Sequence, residues 1–106
     1  LSGIKKQPWD NFSQVELAWT SFDYPAKIVR LANYMPNKIH PTQKHIDLYA
    51  YLLKTFAKEG DKILDTHLGS GSSRIAAYKL GFDFVGCEID KEYFASANER
   101  FENECL

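Results

Sequence analysis

Lys62-Ile63-Leu64-Asp65-Thr66-His67-Leu68-Gly69-Ser70-Gly71-Ser72-Ser73 is the stretch on which the fold turns. Lys62 to Asp65 read as a short β-strand. Gly69 to Ser73 read as a tight turn whose hydroxyl residues suit the start of a helix. Ile75-Ala76-Ala77-Tyr78-Lys79-Leu80 supplies the helix body, and Gly81 ends it. Downstream, Phe82-Asp83-Phe84-Val85-Gly86-Cys87-Glu88 reads as a second strand. Lys91 to about Asn103 reads as a last helix with Tyr93, Phe94, Ala97 and Phe101 on one face. Upstream, Ile46, Tyr49, Leu52, Leu53 and Phe56 recur at helical spacing, with Gly60 as the stop. The order helix, strand, helix, strand, helix implies a parallel strand pair joined by a crossover helix. The expected fold class is therefore α/β.

The same stretch carries the chemistry. Glycines between strand and helix let the backbone turn sharply and come close to a ligand. The first amides of the following helix favour anionic groups. Glu88, at the end of the second strand, is placed to accept hydrogen bonds from both hydroxyls of a ribose. The pattern fits a pocket for an adenosine-containing cofactor. A pyrophosphate-bearing dinucleotide is disfavoured because Arg74 occupies the third position of Gly-x-Gly-x-x-Gly. The pattern does not itself choose the cofactor, but Asp65 repels phosphate and suits the ammonium of an amino-acid moiety, and S-adenosylmethionine carries both an ammonium and a ribose. The competing structural reading makes Asp65 a turn-capping acid, Glu88 a solvent-facing strand end and the glycines a plain loop.

Around this core the chain is ordinary globular material. Of 106 residues 44% are hydrophobic and 25% charged, which excludes a disordered or collagen-like chain. The net charge of -1 announces no basic footprint, although a local basic face can hide inside a neutral total. No apolar run approaches the length of a membrane span, and no signal-peptide core opens the chain, which does not begin with Met. Cys87 and Cys105 lack CxxC spacing and read as a buried reduced thiol and a tail thiol, fitting a cytoplasmic protein. His40, His45 and His67 lack metal-ligand spacing with them, so no metal is expected. Residues 1–39 form a hairpin and linker region, where Val15 to Thr20 and Ala26 to Leu31 alternate as the two strands of an antiparallel hairpin. Residues 40–106 form the cofactor-binding α/β segment of one incomplete domain.

The remaining marked segment is His40-Pro41-Thr42-Gln43-Lys44, which on structural grounds is a helix start with Thr42 as a cap. It resembles the His-Pro-Thr-Gln-Lys-Pro motif of amino-group DNA methyltransferases of the circularly permuted class, with His45 in place of the last Pro. Asp65-Thr66-His67-Leu68-Gly69-Ser70-Gly71-Ser72 resembles their Asp-x-Phe-x-Gly-Ser-Gly-Thr. Gly86-Cys87-Glu88-Ile89-Asp90-Lys91-Glu92-Tyr93 is similar to their Gly-x-Glu-x-x-x-x-Tyr. The three motifs stand in the family's order over residues 38–101, with wording closest to phage- and prophage-type adenine methylases.

The resemblance implies a partial Rossmann-like methyltransferase fold and S-adenosylmethionine as cofactor. It also implies DNA as substrate, methylated at adenine N6 ahead of cytosine N4. Asp65 would meet the methionine ammonium or neighbouring waters, and Gly69, Ser70, Gly71 and Ser72 the methionyl portion. Glu88 would hold the ribose, and Thr42, Gln43 and Lys44 the carboxylate end. His67 would line the pocket where Phe is common, and Tyr93 would sit near the adenosine or in the core. No Pro-Pro occurs in the chain, so the family's catalytic Asp/Asn/Ser-Pro-Pro-aromatic motif is absent and no catalytic residue is assigned. The expectation is a cofactor-binding part, inactive alone, that self-associates or awaits an N-terminal half. A decayed, non-catalytic remnant or interaction module, a nicotinamide-dependent enzyme fragment and an RNA methyltransferase are the alternatives.

Overall fold

A computed structural model describes residues 3–5, 17–23, 25, 28–30 and 43–106. Its elements in chain order are β1 (Gly3–Lys5), β2 (Leu17–Trp19), α1 (Ile46–Phe56), β3 (Lys62–Asp65), α2 (Ser72–Leu80), β4 (Asp83–Gly86) and α3 (Lys91–Cys105). β3 and β4 pair in parallel, with Ile63 opposite Phe84 and Asp65 opposite Gly86. The α/β expectation holds in the order of its elements and in the parallel pair.

Side-chain alternation gives the pair one covered and one open face. Ile63 and Phe84 point into a core built on Leu53 of α1 and Ala76 and Ala77 of α2, joined by Ile46, Tyr49, Ala50, Leu80 and Phe82. Small residues on α2 let it pack closely against α1, β4 and α3. Leu64 and Val85, which face each other across the pair, lie on the open side, Leu64 at 64% exposure. Cys87 continues that open row and is exposed, not buried as expected. An apolar run marks a strand but cannot tell which of its two faces a neighbour covers.

Helix boundaries follow local chemistry. α1 begins after His45, whose extended backbone makes it the N-cap without a side-chain bond, so Thr42 is not the cap. It ends at Phe56, and a turn closed by Lys58 and Asp61 leads into β3: the Lys58 amide donates to Asp61 Oδ2 at 2.8 Å, and the Asp61 amide to the Lys58 carbonyl at 3.0 Å. α2 is bracketed by Gly71 and Gly81, both left-handed. α3 is capped by Asp90, whose Oδ1 accepts the Glu92 and Tyr93 amides at 2.9 and 3.0 Å. On α3, Ala97 and Phe101 are buried, Tyr93 is half-buried and Phe94 is exposed, so the inward stripe is narrower than the periodicity suggested.

The N-terminal antiparallel pair exists, with a different partner. β2 pairs with β1, Ile4 opposite Ala18, while Ile28, Val29 and Arg30 carry no strand. Alternation identifies a strand but says nothing about which segment it pairs with, because the pairing is non-local. Val15, Glu16, Ala26, Lys27 and Leu31, on which the rest of that expectation fell, lie outside the described residues.

Candidate functional site

Two acidic side chains emerge at the carboxyl end of the parallel pair, and the backbone there stays joined past the strands. The Cys87 amide donates to the Asp65 carbonyl at 2.9 Å, and the Leu68 amide to the Cys87 carbonyl at 2.8 Å. This brings Glu88, two residues beyond β4, beside the turn that follows Asp65. Glu88 Oε1 accepts the Gly69 amide at 2.8 Å, and Oε2 accepts the Asp90 amide at 3.0 Å. Asp65 Oδ1 accepts the His67 amide at 3.0 Å, and Oδ2 accepts the Ser73 hydroxyl at 2.5 Å. Each carboxylate thus stiffens the loop it borders. Glu88 is half-buried and engaged, not a solvent-facing strand end.

Gly69 (φ 57°) and Gly71 (φ 83°) turn the chain through left-handed conformations. Gly71 is constrained twice over, because a Cβ there would also meet Ala97 Cβ at 3.3 Å. Its amide donates to the Leu68 carbonyl at 3.0 Å, and its carbonyl accepts the first α2 bond from Ile75 at 3.1 Å. The Ser72, Ser73 and Arg74 amides precede that bond and give this end of α2 positive character.

Gln43 is buried at 6% exposure, and Lys44 lies against the loop: its carbonyl accepts the Ser72 hydroxyl at 2.7 Å. The segment before α1 and the glycine turn are therefore one assembly, although 28 positions separate Lys44 from Ser72. Ser70 and Ser72 are buried. His67 is exposed, its Nδ1 2.9 Å from Thr66 Oγ1. Thr42 lies outside the described residues. The structure thus brings together Gln43, Lys44, Asp65, Gly69, Ser70, Gly71, Ser72 and Glu88. Sequence reasoning missed Ser73, which holds Asp65, and Arg100, whose guanidinium reaches Ser70 and Ser72 from α3. Ser73 was legible as the second hydroxyl at the start of the helix; nothing local marks Arg100. Among the described residues no group of His, Cys, Asp and Glu could hold a metal ion.

The arrangement can accommodate a ligand with both signs of charge. Carboxylates border it at two strand ends, and helix amides with a guanidinium behind them form the third side. Such a site suits an amino-acid moiety linked to a diol-bearing sugar.

Comparison with known proteins gives this geometry a family. The N6_N4_Mtase model, described as DNA methylase, matches residues 4–99. The type II methyltransferase M2.DpnII of Streptococcus pneumoniae is 43% identical over 65 residues, covering 61% of this chain and 24% of that protein. M.HpaI of Haemophilus parainfluenzae is 39% identical over 67 residues, covering 63% of this chain and 21% of its own length. The crystal structure of the M1.HpyAVI–SAM complex superposes with a TM-score of 0.59 at 31% identity, over 74% of this chain and 42% of that one. The chain spans about a quarter of the length of these curated relatives. By the span of the match and the agreement of fold, the chain belongs to the N6_N4_Mtase family of DNA methylases.

Proposed function

We propose that this chain forms the S-adenosylmethionine-binding part of a DNA methyltransferase that modifies an exocyclic base amino group, adenine N6 ahead of cytosine N4. One observation carries the reading: Asp65 and Glu88 flank a left-handed glycine turn at the carboxyl ends of two parallel strands, where open α/β sheets bind ligands. The names of the relatives and the M1.HpyAVI–SAM complex support it. The residues present fit the cofactor. Asp65 faces its ammonium, the Gly69–Ser72 backbone its methionyl chain and Glu88 its ribose hydroxyls. Thr42, Gln43 and Lys44 close the carboxylate end, and His67 borders the mouth. When bound, S-adenosylmethionine supplies a methyl activated by its sulfonium. The protein's part is to hold that methyl in line with the acceptor nitrogen.

A base inside a duplex must be extruded before its amino group can reach such a site. In this reading the hydrogen-bonding and stacking of that base belong to the family's Pro-Pro motif, which this chain lacks. The chain alone is expected to transfer no methyl to DNA, and labelled methyl incorporation into duplex DNA would count against this part of the reading. Association with a further part of such an enzyme, or with a second copy, fits the open face at Leu64 and Val85. A cytoplasmic location fits the same function; no helix among the described residues is long and apolar enough to cross a membrane.

The direct test is calorimetric titration with S-adenosylmethionine. Saturable binding is expected, weakened about tenfold or more in Glu88→Gln and in Asp65→Asn, since each loses charged hydrogen bonds. Both are near-isosteric, and a thermal melt of each variant separates lost affinity from lost fold. Absence of binding by the folded, unsubstituted chain, or equal affinity in both variants, would sink the proposal.

A further inference from the structure

Arg100 stands 30 positions from Ser70 and belongs to none of the three motifs, yet its guanidinium bonds the glycine turn at three atoms. Its Nη1 donates to the Ser70 carbonyl at 3.2 Å, to Ser70 Oγ at 3.2 Å and to Ser72 Oγ at 2.9 Å. Its Nε reaches Glu104 one helical turn on, at 3.3 Å, and its side chain is only 12% exposed.

These contacts fix the turn in two ways. The peptide unit is planar and trans, so drawing the Ser70 carbonyl towards Arg100 turns the Gly71 amide the opposite way. There it meets the Leu68 carbonyl at 3.0 Å. The Ser72 hydroxyl has one proton, which goes to the Lys44 carbonyl at 2.7 Å, so its oxygen must accept from Arg100. A charged donor thereby orients the hydroxyl that ties the segment before α1 to the turn. The guanidinium thus joins α3 to the glycine turn, and the Ser72 hydroxyl that it bonds carries the link on to Lys44. Its charge also adds to the positive end of α2.

We infer that Arg100 is a positioning residue that holds the Ser70–Ser72 turn and its link to Lys44 in binding geometry, and so sets the affinity for the carboxylate-bearing end of the cofactor. The inference rests on the S-adenosylmethionine reading above for its ligand; its structural half does not.

The experiment uses the whole chain with Arg100→Met, Arg100→Lys and, as a control for the exposed ion pair, Glu104→Gln. Residue-resolved amide exchange without ligand is read beside calorimetric titration with S-adenosylmethionine. In Arg100→Met the Gly69 and Gly71 amides should exchange about tenfold faster or more while Leu64 and Ala77 keep their protection, and the dissociation constant should rise about tenfold or more. Arg100→Lys keeps the cation but loses the planar fork, and should recover part of both effects. Glu104→Gln should change neither, because an exposed helical ion pair contributes little. Unchanged exchange at the turn in Arg100→Met would overturn the inference, and a loosened turn with unchanged affinity would overturn its bearing on the cofactor. Should Arg100→Met lose structure throughout, Ser72→Ala decides instead: it removes the hydroxyl between Arg100 and Lys44 and must loosen the same amides. If the unsubstituted chain does not bind S-adenosylmethionine, the cofactor reading fails, and the exchange data still judge what Arg100 does to the turn.

Discussion

Two glycines near the site are fixed by different physics. Gly71 needs a left-handed backbone and has Ala97 Cβ where its own Cβ would point, 3.3 Å away. Gly71→Ala combines the left-handed penalty of about 1–2 kcal/mol with that contact. It is expected to lower the urea midpoint accordingly and to weaken ligand binding, because the start of α2 moves with it. Gly86 has no left-handed requirement. A Cβ there would lie 2.8 Å from Phe84 Cε1 and 2.9 Å from Leu68 Cδ1. Gly86→Ala should therefore disturb the packing of Leu68 behind the turn. A fall in thermal midpoint with altered amide shifts at Leu68 and Gly69 would check it; a silent substitution would show that both side chains move aside freely.

At the scale of elements, α2 is the central piece. Ile75 and Ala77 are wholly buried and Ala76 nearly so, which leaves α2 able to lie between α1, β4 and α3. Ile75→Ala should cost about 2–5 kcal/mol in denaturant titration, the range for a large core aliphatic truncated in place. α3 depends on a cheaper device. Asp90→Ala removes the side chain that accepts the Glu92 and Tyr93 amides, and about 1 kcal/mol should be lost. The two substitutions differ in kind, since the first empties the core while the second frays the helix that carries Arg100. Arg74 adds a further tie, lying 3.7 Å over the Phe101 ring and donating to Asn98 Oδ1 at 2.8 Å, so α2 and α3 move together.

At the scale of the molecule, the core among the described residues is small and rich in alanine, and those residues cover one face of the parallel pair. Leu64, Val85 and Ile89 remain exposed, Ile89 at 99%. The expected stability of the chain is low, below about 5 kcal/mol, because that is where the ordinary range for folded domains begins. A two-state urea titration giving more than this would mean that the open face is covered in solution. Leu64→Thr with Val85→Thr, which puts polar residues of good strand propensity on the open strands, would then lower stability and any sedimentation-detected association together.

The sequence by itself determined the elements from Ile46 onward, the strand–turn–helix around Gly69 and Gly71, and the identity of Asp65 and Glu88 as the acids at the strand ends. All of this is short-range. Strand alternation, helical period, caps and glycine turns are written within a few residues of where they act. What lies far apart in the chain was decided only by the tertiary structure. β2 took Gly3–Lys5 as its partner, Cys87 fell on the open face, and Glu88 closed on Gly69. Arg100 reached back 30 positions to hold the Ser70 carbonyl. Those contacts depend on which faces meet once helices pack, and an isolated arginine on a polar helix looks the same in sequence whether it faces water or a buried serine. The cofactor turn was legible because its geometry is local; the residue that holds it in place was not, because its geometry is a property of the packing.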